Sequence, residues 1–536
     1  MKKKIVKGLK VTLAMTLAAC MMAGCGSSKA TQAPQSYDGA ATETAQYAPE
    51  YEPEYAPTYS EADYTYNNPT PENNEIYDKP DENGATLVSV NPLSTFAMDV
   101  DTASYANVRR MIEDGYSAQD IPAEAVRPEE FINYFQYDLN SPDKGEVFGI
   151  TTEIADCPWN SDHKMMFVGL KTAEMNGEEL PASNLVFLID VSGSMRSQDK
   201  LPLLKKSLNE LVDNYSGEGT LSIVTYSGKE EVLLEGENLA NKKKIKKAIN
   251  KLSADGCTNG ESGMRKAYEI ASEYYIEGGV NRVVMATDGD LNVGISDPDE
   301  LENFIKEKKE SGVFLSVLGF GTGNLKDASL ERLADCGNGN YSYIDSMVEA
   351  KKVLVDEMSS TMVTVAKDAK IQVEFNPNKV NSYRLIGYEN RQMDAADFND
   401  DKKDGGEVGA GHSVIALYEV TLADSEKAIN LKYQDNKQED YGDEYATVNI
   451  RYKDPEAEES KLSSYVVTND DEKEEMSDNM KFAQMVAEFS LIISDSDYKG
   501  DSSYEHVVDT YATVENKDEY KDEFVQLVRM VEKRDL

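Results

Sequence analysis

The stretch Asn184 to Met195, NLVFLIDVSGSM, constrains the fold more than any other part of the chain. Its apolar run, Leu185 to Ile189, has the length of a strand, and the chain turns polar at once at Asp190, Ser192, Gly193 and Ser194. A strand apolar on both faces needs cover on both faces. That places it inside a parallel sheet clad with helices, where ligands bind at the carboxyl ends of the strands. The D-x-S-x-S loop stands at that end. One carboxylate and two hydroxyls on a short loop are oxygen donors suited to a hard divalent cation such as Mg²⁺, and they leave coordination positions open for water or a ligand. Taken without their context, the same residues would serve to cap the next helix.

The pattern resembles the metal-ion-dependent adhesion site of von Willebrand factor type A domains. In that family a threonine from a second loop and an aspartate from a third complete the site. DGCTNGESGM supplies Thr258 ahead of a helical pattern, and RVVMATDGD supplies Asp288 at the end of a second apolar strand. The resemblance implies that Asp190, Ser192, Ser194 and Thr258 hold one Mg²⁺ or Mn²⁺ directly or through water, with Asp288 acting through water. It also implies that the ion carries uncompensated charge and takes the Asp or Glu carboxylate of a protein partner into its shell. Cys257 precedes Thr258 where the family more often has a small residue such as Gly.

Strand and helix patterns alternate from 184 to 361, which predicts a doubly wound parallel sheet, an α/β fold of Rossmann-like type. Alternating strands flank it on both sides, at 144–183 and again at 365–455 in IQVEFNP, SYRLIGYE, SVIALYEVTL and ATVNIRYKD. The α/β unit is therefore expected to be inserted into a β-sandwich. Residues 87–143 predict a short strand at Thr95 to Val100 followed by helices. An acidic connection, Pro455 to Glu475, leads to helices over 475–536, where Phe482, Met485, Val486 and Phe489 form an i, i+3, i+4, i+7 stripe. Both terminal regions are similar to the extensions of a group of exported bacterial von Willebrand type A proteins, through the strings DVDTASY and EEFINYF and through the C-terminal helices. The helix expected over Met347 to Thr361 follows the last strand of the α/β unit and runs toward Ile371 to Phe375. In this family such a helix can shift when the site takes a ligand, and the sequence is compatible with both a rigid and a shifting junction.

The first 25 residues read as an export signal. Lys2, Lys3, Lys4, Lys7 and Lys10 precede a short apolar segment, Val11 to Met22, and Ala23-Gly24-Cys25 forms a small-residue cleavage site. This resembles a bacterial lipobox and implies lipidation at Cys25. Leu17-Ala18-Ala19-Cys20 is the competing match, with a shorter apolar core. The Tyr/Pro/Glu-rich stretch 26–86 buries too little apolar surface to offset its ordering entropy and reads as a disordered spacer. The expected location is the outer face of a bacterial cell membrane, by the lipid anchor alone.

Ninety-eight acidic against 55 basic residues, a formal net charge of −43, argue against nucleic acid as a partner. Beyond Cys25 only Cys157, Cys257 and Cys336 remain, too few for a disulfide framework and without C-x-x-C spacing for zinc. Asp99-Val100-Asp101-Thr102 is close to the D-x-D-x-T opening of haloacid-dehalogenase-type phosphatases, but its threonine arrives one residue early and no α/β domain follows directly. His163, His412 and His506 are scattered and none lies beside a candidate nucleophile. Catalysis is not expected. A metal-dependent binding protein is the leading reading, and a structural assembly factor of an envelope complex is the alternative.

Overall fold

The computed structural model describes residues 75–77, 81–175, 180–228, 230–255, 261–289, 298–323, 325–357, 362–425, 441–455 and 457–536. Strands β1 (Thr86–Leu87) and β2 (Leu93–Ala97) and helices α1 (Ala103–Glu113) and α2 (Pro128–Asn133) precede the hairpin of β3 (Phe148–Asp156) and β4 (Lys164–Thr172). The central unit then runs β5 (Ser183–Asp190), α3 (Leu201–Asn214), β6 (Gly219–Tyr226), β7 (Glu230–Asn238), α4 (Lys242–Lys251), α5 (Glu261–Glu273), β8 (Val280–Thr287), α6 (Pro298–Lys309), β9 (Phe314–Phe320), α7 (Asp327–Cys336), β10 (Tyr341–Ile344) and α8 (Met347–Lys351). After it come β11 (Thr364–Phe375), β12 (Val380–Ile386), β13 (Gly406–Gly409), β14 (Ser413–Leu422), β15 (Glu444–Lys453), β16 (Lys461–Thr468), α9 (Asp478–Ile493), α10 (Tyr504–Thr513) and α11 (Glu519–Asp535). Among the described residues no helix is long and apolar enough to cross a membrane.

The central sheet has the order β10-β9-β8-β5-β6-β7, parallel except for β7. Every residue of β5 is buried. Leu185, Phe187 and Ile189 pack with Leu204, Leu208 and Ile245 of α3 and α4, while Val186 and Leu188 pack with Met264 and Leu330 of α5 and α7. Alternate side chains thus reach opposite helical layers, as the unbroken apolar run requires. β7 departs from the expected parallel sheet because only residues 227–229 join it to β6, too short for a crossover.

Two antiparallel sheets form the sandwich: β1-β12-β14-β4-β3, and β13-β11-β15-β16 with β2 added to β11. Between them Ile154, Met166, Val168, Ile371, Val373, Val414 and Val448 make the core. The sandwich reaches beyond 144–183 and 365–455. The strand expected at Thr95 to Val100 lies at Leu93–Ala97 and pairs with β11, while β16 lies inside the supposed acidic connection. β16 shows no clear period of two because it is an edge strand with most of its side chains exposed.

The other face of the first sheet is covered by both terminal regions together. Met165, Phe167, Ile415 and Leu417 pack with Tyr105, Phe131 and Phe135 from the N-terminal side and with Phe482, Phe489 and Phe524 from the C-terminal side. Trp159, in the β3–β4 turn, is buried in the same core. The helical regions 87–143 and 475–536 are thus one layer.

The spacer reading of 26–86 fails at its end. Ile76 N donates to Leu325 O at 3.0 Å, Glu75 pairs with Arg110 at 3.2 Å, and the Asn83 amide donates to Leu385 O and Gly387 O at 3.1 and 2.6 Å. These anchors are polar contacts at single residues, which leave no hydrophobic period to read. Residues 1–74, including Cys20 and Cys25, lie outside the described residues. The helix expected to reach Thr361 is α-helical only to Lys351 and continues as a π-turn over Lys352–Asp356; residues 358–361 lie outside the described ones.

Candidate metal site

β5 delivers Asp190 to the carboxyl end of the sheet, and β8, its parallel neighbour, delivers Asp288 directly after its last residue. Ser192 adopts an extended backbone and a short 3-10 turn, Gly193–Arg196, follows. Met195 is fully buried in the layer beneath and pins the loop. Asp190, Ser192 and Asp288 are all at most 2% exposed. Ser192 N donates to Asp190 Oδ1 at 2.8 Å, and the Ser192 and Ser194 hydroxyls lie 2.9 Å apart. Asp190 Oδ2 is enclosed and meets no hydrogen bond of ordinary geometry among the described residues, with the buried Tyr226 hydroxyl beside the carboxyl as its nearby donor.

Burial pushes the Asp190 carboxyl up to about 6, with Asp288 adding to the effect and hydrogen bonds from Ser192 and the Tyr226 hydroxyl opposing it. A carboxylate so enclosed is costly, and a second carboxylate nearby raises the cost. A divalent cation held by oxygen donors relieves both. The residues present therefore fit such an ion. Thr258 and Cys257 lie outside the described residues.

One residue of the site escaped the sequence reading. Lys200, at the N-cap of α3, is buried and donates from Nζ to Asp288 Oδ2 at 2.9 Å. Its stem lies against Gly321, where a Cβ would collide with it and where φ is +72°. Glycine is required there twice over. A lysine at the start of a helix runs against the helix dipole, and that mismatch is the one signal in the sequence that could have marked it.

The remaining candidates are elsewhere. Asp99 and Asp101 are buried at the junction of the N-terminal region with β10: Asp99 accepts from Asp101 N at 3.0 Å and from Arg391 Nε at 3.2 Å, and Asp101 accepts from Tyr341 N at 2.9 Å. Asp99 converges with Glu130 and Glu331. There Arg127 and Arg391 occupy the place a cation would take, pairing with Glu130, Asp327, Glu331 and Asp335. His163 pairs with Glu419 and His506 with Glu488. Burial pushes the His412 imidazole down to about 4, and its Nδ1 accepts from Gly409 N at 3.3 Å. The structure brings none of the three beside another. Cys157 and Cys336 are buried free thiols.

Three family profiles match the chain in succession: "von Willebrand factor" over 71–167, "von Willebrand factor type A domain" over 184–357, and "Uncharacterized protein YfbK, C-terminal" over 360–533. The chain is similar to uncharacterized protein YfbK of Escherichia coli, 41% identical over 469 residues that cover 85% of this chain and 81% of that protein. Among solved structures it is similar to a von Willebrand factor type A protein from Catenulispora acidiphila, at 15% identity and a TM-score of 0.40, covering 74% of this chain and 91% of that one. It is also similar to proximal thread matrix protein 1 of the mussel byssus with a zinc-occupied MIDAS motif, at 20% identity and a TM-score of 0.29, covering 35% and 47%.

Proposed function

Because the chain belongs to the YfbK family of von Willebrand factor type A domain proteins, we propose that it binds one Mg²⁺ or Mn²⁺ at Asp190, Ser192, Ser194, Thr258 and Asp288. Through that ion it takes the Asp or Glu carboxylate of a protein partner. The observation that carries this reading is the meeting of two buried carboxylates, Asp190 and Asp288, at the carboxyl ends of neighbouring strands with the Ser192 and Ser194 hydroxyls beside Asp190. The ion supplies a positive centre with exchangeable positions. The protein's part is to hold its oxygens in place before the ion arrives, which β5 and β8 do from the rigid centre of the sheet.

Calorimetric titration of the full chain with Mn²⁺ and Mg²⁺ tests the site. Wild type takes one ion, and Asp190→Ala takes none while keeping its circular dichroism. Equal binding by the two proteins sinks the site as drawn.

The resemblance of the leader to a lipobox supports a location at the outer face of the membrane, with the mature chain lipidated at Cys25. Cys25→Ser releases the protein into the medium or leaves it unprocessed. Should Cys20→Ser do so and Cys25→Ser not, Cys20 is the anchor.

The junction favours a site that grips without switching. α8 is tied to α1 by Arg109, which pairs with Glu349 at 2.7 Å. A ligand moves such a helix only by its differential affinity for two states, typically about 1–3 kcal/mol, and that buried ion pair opposes the movement.

A further inference from the structure

We infer that Lys200 is the residue that makes the loaded site select a carboxylate, an inference that rests on the metal-binding reading above. Asp190 and Asp288 together balance a divalent ion, and Ser192 and Ser194 carry no charge. Lys200 adds one positive charge that nothing else among these groups cancels. Its ammonium lies 2.9 Å from Asp288 Oδ2 and its side chain is 8% exposed against 0% for Asp288, so solvent screens it far less than it would a surface lysine. The stem packed on Gly321 opposes its swinging out to water.

Two consequences of opposite sign follow. A fixed cation beside the site repels a divalent ion, so Lys200 holds metal affinity down. The same surplus charge makes an anion the favoured occupant of the open coordination position, so Lys200 holds carboxylate affinity up. A merely structural lysine would move neither affinity, or would move both downward as the loops loosen.

The experiment uses the full chain as wild type, Lys200→Met and Lys200→Gln. Met keeps the aliphatic stem over Gly321, and Gln serves if Met fails to fold. Free Mn²⁺ is followed by electron paramagnetic resonance during titration. Acetate is then added to the Mn²⁺-loaded proteins, and loss of metal-bound water is read from solvent proton relaxation. Neutralising the lysine is expected to tighten Mn²⁺ binding by about tenfold or more and to weaken acetate binding by about tenfold, as expected for one unit charge a few ångströms away at a protein-like dielectric. Wild-type Mn²⁺ binding with both affinities unchanged in the variants, or with both falling together, overturns the role given to Lys200. Absence of Mn²⁺ binding by wild type itself overturns the metal-binding reading and this inference with it.

Discussion

Replacing Arg109 by methionine is expected to lower the stability of the folded protein by about 3–5 kcal/mol, the cost typical of leaving buried charges without their partner. The Arg109 side chain is 1% exposed. Its Nε and Nη2 donate to the two oxygens of Asp345 at 2.7 Å each, Nη2 also reaches Glu349 at 2.7 Å, and Nη1 reaches the Tyr134 hydroxyl at 2.8 Å and Glu523 at 3.1 Å. One guanidinium therefore joins α1, the β10–α8 corner and α11. Without it, Asp345 and Glu349 stay buried without their guanidinium, and Glu349 keeps only the Tyr134 hydroxyl at 2.7 Å and the charge of Lys352.

The pH dependence has a definite sign. Burial already raises the Glu349 carboxyl above its ordinary range and Arg109 opposes that rise, so the variant's Glu349 rises further. The folded variant then binds a proton that the unfolded chain gives up above the ordinary carboxylate range, and its stability falls as pH rises through that window. Urea denaturation at pH 5 and pH 8 checks both points: the loss is larger at pH 8, and adding Asp345→Asn with Glu349→Gln restores part of it. A loss below about 1 kcal/mol, the range of an exposed pair, would show that the network is not under load.

The parts of the fold legible in the sequence are those in which one segment carries its own signal. β5 announces itself through Leu185 to Ile189, and Asp190, Ser192, Ser194 and Asp288 follow from their place at strand ends. What was not legible depends on partners far away in sequence. Lys200 becomes a site residue only through Asp288, 88 positions on, and Gly321. Glu75 is held by Arg110, and β16 is a strand only because β15 pairs with it. In the sequence Arg109 is one more charge within a helical pattern, since no local signal reports that Asp345, Glu349 and Glu523 converge on it. Hydrophobic period measures burial against a face, and it is silent where polar side chains are buried against one another.

The same blindness hid the union of the two ends of the chain, because amphipathic helices show that they bury a face without showing against what. Phe135 decides that question. Its ring lies 5.1 Å from Tyr105 and from Tyr134 on the N-terminal side, and 4.9 Å from Phe482 and 5.6 Å from Phe524 on the C-terminal side. At 2% exposure it fills a space bounded by both regions. Phe135→Ala is expected to cost about 3–5 kcal/mol from lost transfer energy and the cavity left behind. Phe482→Ala should cost a similar amount, and the double variant less than the two together, since the second truncation enlarges a cavity already open. A coupling of about 0.5–3 kcal/mol is the range for residues in contact. If 87–143 and 475–536 were separate units, the two substitutions would add without coupling, and each would shift a different unfolding transition. A single transition moved by both, with coupling in that range, is the expected result for one helical layer built from the two ends of the chain.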